Sequence, residues 1–193
     1  MDDLVTGADG LARCGWGAGT PDYAAYHDGE WGRPLRGDDA LYERITLEAF
    51  QSGLSWLTIL RKRAAFRRAF DDFRITTVAG YGEADVTRLL GDAGIVRNRA
   101  KIEAAIANAR AALDLPEGLS ALLWSYAPPA RSIRPGRLAE VPAVTPESTA
   151  LAKALKKRGF RFVGPTTAYA LMQATGMVDD HVAGCHVVLV PAA

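Results

Sequence analysis

The chain has 193 residues, 49% of them hydrophobic and 23% charged, with 23 basic against 22 acidic side chains. That composition fits one ordinary globular domain, or two small lobes on a shared core, long enough to bury a core without cross-links. A formal net charge of +1 excludes a global field for a polyanion, so any nucleic-acid contact must come from local basic clusters.

No apolar run approaches the roughly 18 residues of a bilayer span. The opening Met1-Asp2-Asp3-Leu4 lacks the character of a signal peptide. The expectation is a cytoplasmic protein in which Cys14 and Cys185 stay reduced.

Residues 5–37 are rich in Gly and aromatics, include Pro21 and Pro34, and read mostly as ordered loop. Asp38 or Asp39 then caps a helix over 40–52, with Leu41, Ile45 and Phe50 at helical spacing. Gly53 ends it, and Ser55 opens a second helix over 56–70. Further helices are expected over 83–90, 98–113 and 118–126. Pro128, Pro129, Pro135, Pro142 and Pro146 make 127–146 a linker-like stretch.

A helix from 145 or 147 to 158 follows, then a turn bounded by Gly159 and Gly164, then a helix over 165–175. Phe160-Arg161-Phe162-Val163 is too short and isolated for a strand, and no convincing strand pair is found elsewhere. The expected fold class is all-α, one domain over 1–193.

Four of the five Cys and His side chains form two tight groups: Cys14 with His27, and His181 with Cys185 at i, i+4. On a helical turn the second pair would share a face. Together they supply a Cys2His2 set, a tetrahedral zinc shell with no open position, which points to a structural metal. Taken singly, each residue also fits a plainer role: a small buried thiol, a surface His, a satisfied core His.

The run from Lys156 to Thr167 ends one helix in a basic cluster and opens the next with Pro165 at its first turn. Unpaired amides at such a helix start suit a phosphate. A plain helix connection with solvated Lys and Arg reads equally well. Arg61, Lys62, Arg63, Arg67 and Arg68 make a second basic surface whose simpler reading is a solvated outer face.

Trp16, Tyr23, Tyr26 and Trp31 crowd one loop, and Trp56 follows Gly53-Leu54-Ser55. Aromatics gathered this way suggest a stacking pocket, or a satellite core under a long loop. Glu48 sits among Leu47, Ala49 and Phe50, and is either exposed or buried for a reason; helical phase does not decide.

Joined, these segments resemble the DNA-3-methyladenine glycosylase I family of helix-hairpin-helix base-excision enzymes. The matching stretches are Arg13-Cys14-Gly15-Trp16, Tyr26-His27-Asp28-Gly29-Glu30-Trp31-Gly32, and Leu47-Glu48-Ala49-Phe50-Gln51-Ser52-Gly53-Leu54-Ser55-Trp56. Gly94-Ile95-Val96-Arg97-Asn98, the run from Ala154 to Gly164, and Asp180-His181-Val182-Ala183-Gly184-Cys185 complete them.

The resemblance implies that Cys14, His27, His181 and Cys185 hold structural zinc between segments 12–32 and 178–186. It makes Glu48 the base-reading acid, with Trp16, Tyr23, Tyr26, Trp31 and Trp56 as the pocket. Gly159, Phe160, Arg161, Val163, Gly164 and Thr166 belong to the DNA-gripping hairpin. The expected substrate is double-stranded DNA carrying alkylated bases, and the expected reaction is hydrolysis of the N-glycosidic bond of 3-methyladenine without lyase activity.

Asp179 stands where the wider superfamily has a catalytic Asp and this group often has Asn, so it either activates water or caps a helix. Two other readings remain: a non-catalytic, zinc-stabilised protein that binds DNA lesions, and a zinc-dependent small-molecule hydrolase, which the four-ligand count disfavours.

Overall fold

The protein is described here from a computed structural model covering residues 2–189; Met1 and residues 190–193, which the expected domain over 1–193 included, lie outside the described residues. A two-stranded antiparallel ribbon, β1 (Leu4–Thr6) and β2 (Ala12–Cys14), opens the chain. Nine α-helices follow among the described residues. They are α1 (Pro21–Gly29), α2 (Asp38–Gln51), α3 (Trp56–Ala69), α4 (Ile75–Ala79), α5 (Glu83–Gly91), α6 (Arg99–Leu113), α7 (Leu119–Trp124), α8 (Pro146–Lys157) and α9 (Pro165–Ala174). The fold is mostly helical, as expected, with the ribbon as a correction to a reading that found no strands.

The ribbon escapes a periodicity argument because each strand has three residues. It is closed by the turn at Gly7–Leu11, where the Gly7 amide donates to the Leu11 carbonyl at 3.0 Å. The C-terminal segment joins it through His186 N to Ala12 O at 2.7 Å.

Helix α1 corrects a second expectation, since it occupies the middle of the supposed loop. Its start carries ordinary signals: Thr20 Oγ1 accepts from Tyr23 N at 3.2 Å, Pro21 takes the first position, and Asp22 lies in the first turn. Ser55 caps α3, Asn98 caps α6, and Thr145 and Ser148 cap α8 reciprocally.

Asp38 and Asp39 lie within the first turn of α2 rather than capping it. Their carboxylates instead accept from Ser120 N in α7 (2.8 Å) and Ile75 N in α4 (2.9 Å), serving amides that those helix starts leave open.

One apolar cluster runs from Leu41 to Val178 and includes Phe50, Phe66, Phe70 and Tyr169. Helix α2 lies at its centre, packed against α3, α6, α7 and α9. Two small clusters sit beside it. Cys14, Val182, Cys185 and Val187 form one; Tyr26, Trp31 and Ala174, with Trp16 and Trp56 against them, form the other.

Four of the five basic side chains of α3 turn back onto the protein, and Arg68 is exposed. Arg61 pairs with Asp22, Arg63 with Glu30, and Arg67 with Glu43, while Lys62 donates to the Ala93 and Gly94 carbonyls. Among the described residues no helix is long and apolar enough to cross a membrane.

Candidate functional site

Helices α1, α2, α3 and α9 enclose a cavity of about 430 Å³, within the ~300–1,000 Å³ typical of small-molecule sites. Trp16, Tyr23, Tyr26, Trp31, Trp56 and Glu48 all line it, so the structure gathers every residue expected of the pocket. The Trp16 ring meets Trp31 edge-on with centroids 4.9 Å apart, Tyr23 at 5.8 Å, and tilts over Tyr26 at 6.3 Å; Trp56 lies 5.4 Å from Tyr26.

Tyr23 Oη accepts from Leu57 N at 3.2 Å, which ties α1 to the start of α3. The Trp56 indole N–H is buried and has no acceptor among the described residues.

Glu48 faces this cavity and is 5% exposed. Among the described residues nothing donates a hydrogen bond to its carboxylate. Burial pushes the carboxyl up from 4.5 to about 7, against the opposing pull of the Arg44 guanidinium. Glu43, five residues earlier, pairs outside with Arg67. Gln51, Leu138, Val141, Pro142, Ala170, Gln173 and Asp180 complete the lining.

Two of these charged groups were missed in the sequence. Arg44, buried on α2, donates to Tyr26 Oη at 3.0 Å and lies over the Tyr26 and Trp56 rings at 5.4 and 5.8 Å. Its spacing of four residues from Glu48 was the available signal.

Asp180 is the other, next to Asp179, whose role the sequence left open. Asp180 borders the cavity, whereas Asp179 borders a separate one and binds His181 Nδ1 (2.7 Å) and Arg134 Nε (2.9 Å). Asp179 therefore does not line the aromatic cavity.

Behind the Trp16–Trp31 wall lies the Cys and His cluster. Donor atoms of Cys14, His27 and Cys185 are buried within 4.8 Å of one another. The His181 ring packs on His27 at 5.0 Å and on Trp31 at 4.7 Å. His181 and Cys185 are not on a helix, as the spacing suggested. A turn at Ala183–Gly184, with Cys185 N donating to Val182 O at 3.0 Å, brings them onto one side instead.

Both rings are oriented from behind: His27 Nδ1 by Asp28 Oδ1 at 2.8 Å and His181 Nδ1 by Asp179. His27 Nε2 is thereby left toward Cys185 Sγ, 3.5 Å away; His181 stands outside the three-residue group, and its Nε2 is buried with no partner among the described residues. A Cβ on Gly17 would lie 2.6 Å from His27 Cδ2, and one on Gly32, at φ +78°, would lie 2.8 Å from His181 Cε1. Backbone thus closes directly over both imidazoles.

The turn between α8 and α9 is built as a firm projection. Gly159 at φ +91° closes α8, with Gly159 N to Lys156 O at 3.1 Å and Phe160 N to Leu155 O at 3.0 Å. Phe160 and Val163 are buried, so within the hairpin their side chains anchor the turn to the core. Asn108 of α6 holds it again, donating to Arg161 O at 3.1 Å and accepting from Arg161 N at 2.7 Å.

Gly159, Arg161, Gly164 and Thr166 are exposed. The amides of Thr166 and Thr167 have no acceptor among the described residues. A groove of about 230 Å³ at this helix start shares Glu48, Gln51 and Ala170 with the aromatic cavity, so the two spaces adjoin.

A mostly helical chain with an aromatic cavity, a buried acid in it that no hydrogen bond engages among the described residues, and an exposed amide-rich turn nearby has the build of a base-excising N-glycosyl hydrolase. The sequence pattern of the methyladenine glycosylase family matches residues 16–188. The chain belongs to that family.

It is 48% identical to DNA-3-methyladenine glycosylase 1 of Escherichia coli (strain K12) over 179 residues, covering 91% of this chain and 96% of the relative. A DNA-3-methyladenine glycosylase of Haemophilus influenzae is 43% identical over 178 residues, covering 90% and 96%. A crystal structure of 3-methyladenine DNA glycosylase I superposes with a TM-score of 0.86 at 46% identity, covering 90% and 98%. A variant of such an enzyme in complex with 3-methyladenine superposes at 0.85 with 36% identity, covering 90% and 96%.

Proposed function

We propose that the cavity receives 3-methyladenine swung out of duplex DNA, and that the chain hydrolyses its N-glycosidic bond as a monofunctional DNA repair glycosylase. The carrying observation is Glu48: an acid buried inside an aromatic cavity with no hydrogen bond of its own. It is positioned to accept from the purine amino edge.

Methylation at N3 makes adenine cationic and its glycosidic bond weak, so the protein need not supply a strong acid. It must pay for flipping, about a few kcal/mol and less for a damaged pair, and it must choose. Stacking contributes roughly 1–3 kcal/mol per base, and a desolvated cation over an indole face about 2 kcal/mol more. Neutral adenine lacks the second contribution. Ionised Glu48 adds attraction to the cation, and the attraction fades once cleavage leaves a neutral base. No lysine is among the residues lining the cavity, consistent with hydrolysis rather than Schiff-base chemistry.

The unit formed by α8, its turn and α9 is read as the helix-hairpin-helix grip on the phosphate backbone. Open amides at Thr166 and Thr167 and the exposed Arg161 support this reading. The groove joining that helix start to the cavity would bring a gripped strand to Glu48.

Cys14, His27 and Cys185 bring two thiols and an imidazole together as zinc ligands would be, and His181, packed edge-on against His27 with a buried unpartnered Nε2, is the candidate fourth ligand; a carboxylate lies behind each ring. Without a cation, hydrogen bonding between the sulfurs lowers Cys185 and raises Cys14, as expected of a crowded thiol pair. Zinc bound there would supply a structural tie between segments 12–32 and 178–186. Two buried free thiols also suit a reducing cytoplasm. The reading of one domain is supported by the continuous apolar cluster from Leu41 to Val178.

The test is to incubate the purified protein with methylated duplex DNA and identify the released bases. Free 3-methyladenine with unbroken strands is expected. Full retention of 3-methyladenine in the DNA, with binding intact, would favour the non-catalytic lesion binder and overturn the proposal.

A further inference from the structure

The mechanism leaves the proline-rich segment 127–146 without a task, although Leu138, Val141 and Pro142 line the base cavity. Its only regular piece among the described residues is one 3-10 turn at Leu138–Glu140. A stretch of this kind cannot hold the wall of a binding site by its own backbone bonds, so its fastening must come from outside.

That fastening is visible. Arg131 pairs with Asp180 at 2.5 Å and donates to Tyr169 Oη at 3.2 Å. Tyr169 Oη in turn donates to Asp180 at 2.6 Å, and Gln173 Nε2 donates to it at 2.8 Å. Three residues on, Arg134 Nε donates to Asp179 at 2.9 Å. Two backbone links follow: Ala183 N to Pro135 O at 2.8 Å, and Leu138 N to Asp3 Oδ1 at 2.8 Å.

Adjacent acids thus hold two arginines of one segment, from opposite sides. Asp180 is 1% exposed and borders the base cavity. Asp179 looks the other way and also orients His181.

We propose that Arg131–Asp180 and Arg134–Asp179 form a double clamp that seats segment 127–142 as a wall of the base cavity. Arg131, Arg134 and Asp180 are then positioning residues for base binding. The proposal rests on the base-excision reading and extends it to the segment that composition marks as a linker.

The physical reason is selection of one loop conformation. A buried carboxylate without a cation is strongly unfavourable, so Asp180 favours the conformation that delivers Arg131. Delivery of Arg131 and Arg134 together fixes both position and direction of the chain. Leu138, Val141 and Pro142 then face the base rather than solvent. A base site whose wall is seated for only a fraction of the time loses affinity by that fraction.

The experiment uses the full chain with Arg131→Ala, Arg131→Lys and Arg134→Gln. Amide hydrogen exchange over 127–142, the Kd for free 3-methyladenine, excision as a function of DNA concentration, and affinity for undamaged duplex are measured together.

Arg131→Ala is expected to speed exchange in 127–142 alone. It should weaken base binding about tenfold if the wall is seated a tenth of the time, and leave undamaged-duplex affinity unchanged. Arg131→Lys, which can still pair, should recover part of that loss. Faster exchange with wild-type base affinity, or lost affinity with wild-type exchange, overturns the clamp.

Should Arg131→Ala fail to fold, Arg134→Gln carries the test, because Asp179 keeps its bond to His181. Wild-type exchange and affinity in that variant overturn the proposal as well. Failure of the glycosylase reading would show separately, as absent base release by the unaltered protein.

Discussion

Arg44 and Glu48 stand one turn apart on α2, yet Arg44 gives its hydrogen bonds to Tyr26 Oη at 3.0 Å and Glu30 at 3.4 Å, not to Glu48. The arginine compensates part of the buried acid's charge across space and leaves its lone pairs open. An acid tied up in an ion pair could not read a base; an acid with no cation nearby would remain protonated at neutral pH.

The first prediction concerns pH. Glu48 is held up to about 7, so its ionised form grows as pH rises through that value. Single-turnover excision of 3-methyladenine should climb across this window. In Glu48→Gln the limb attributable to residue 48 should vanish. The rate at pH 8 should fall about 10–100-fold, the worth of one hydrogen bond to a charged group. A variant that excises at the wild-type rate removes Glu48 from the mechanism.

Stability should move the other way. A carboxyl raised from 4.5 to about 7 keeps a proton in the folded chain that the unfolded chain has already lost. The unfolded state binds fewer protons there, so stability falls as pH rises between those values, and the cost persists above them. Glu48→Gln lifts that cost. Thermal unfolding at pH 8 should find the variant more stable, by at most about 3 kcal/mol, with the advantage shrinking toward pH 5.

Trp56→Ala should weaken binding of free 3-methyladenine by about 1–3 kcal/mol. It should also narrow the preference over neutral adenine, because part of what is removed acts on charge. Calorimetric titration with both bases separates the two effects. Equal losses for the two would mean plain stacking.

Zinc analysis of the purified chain should find one ion per molecule. Chelation under mild denaturant should lower the Tm, and Cys185→Ser should abolish the metal. Asp28→Asn, which disturbs the carboxylate behind His27, should weaken zinc affinity about 10–100-fold. Active, stable protein free of zinc would end the assignment.

At the hairpin, Arg161→Ala should lower affinity for duplex DNA regardless of sequence. It should reduce the slope of log K against log salt by about one. Unchanged salt dependence would place the phosphate contacts elsewhere.

Much of this was legible in the chain. Helices α2, α3, α5, α6, α8 and α9 announce themselves by spacing and by caps such as Ser55 and Thr145. The pocket aromatics stand out by their crowding between residues 16 and 31, and Glu48 by its apolar neighbours.

Other features were hidden for identifiable reasons. Helix α1 packs its apolar side into an aromatic cavity rather than an aliphatic core, so its composition reads as loop despite Thr20 and Pro21. Asp179 and Asp180 are neighbours with opposite directions, and only the path of the backbone after α9 decides which one reaches the cavity. The Cys and His spacing near residue 181 mimics a helical turn, because a tight turn also returns i+4 to the side of i.

The cluster of Cys14, His27, His181 and Cys185 has a consequence for biosynthesis. Trp16 and Trp31 lean on imidazoles, one of which is contributed by residue 181. The base chamber therefore acquires its back wall only once synthesis has passed residue 181, and a chain that stops short of it lacks that support.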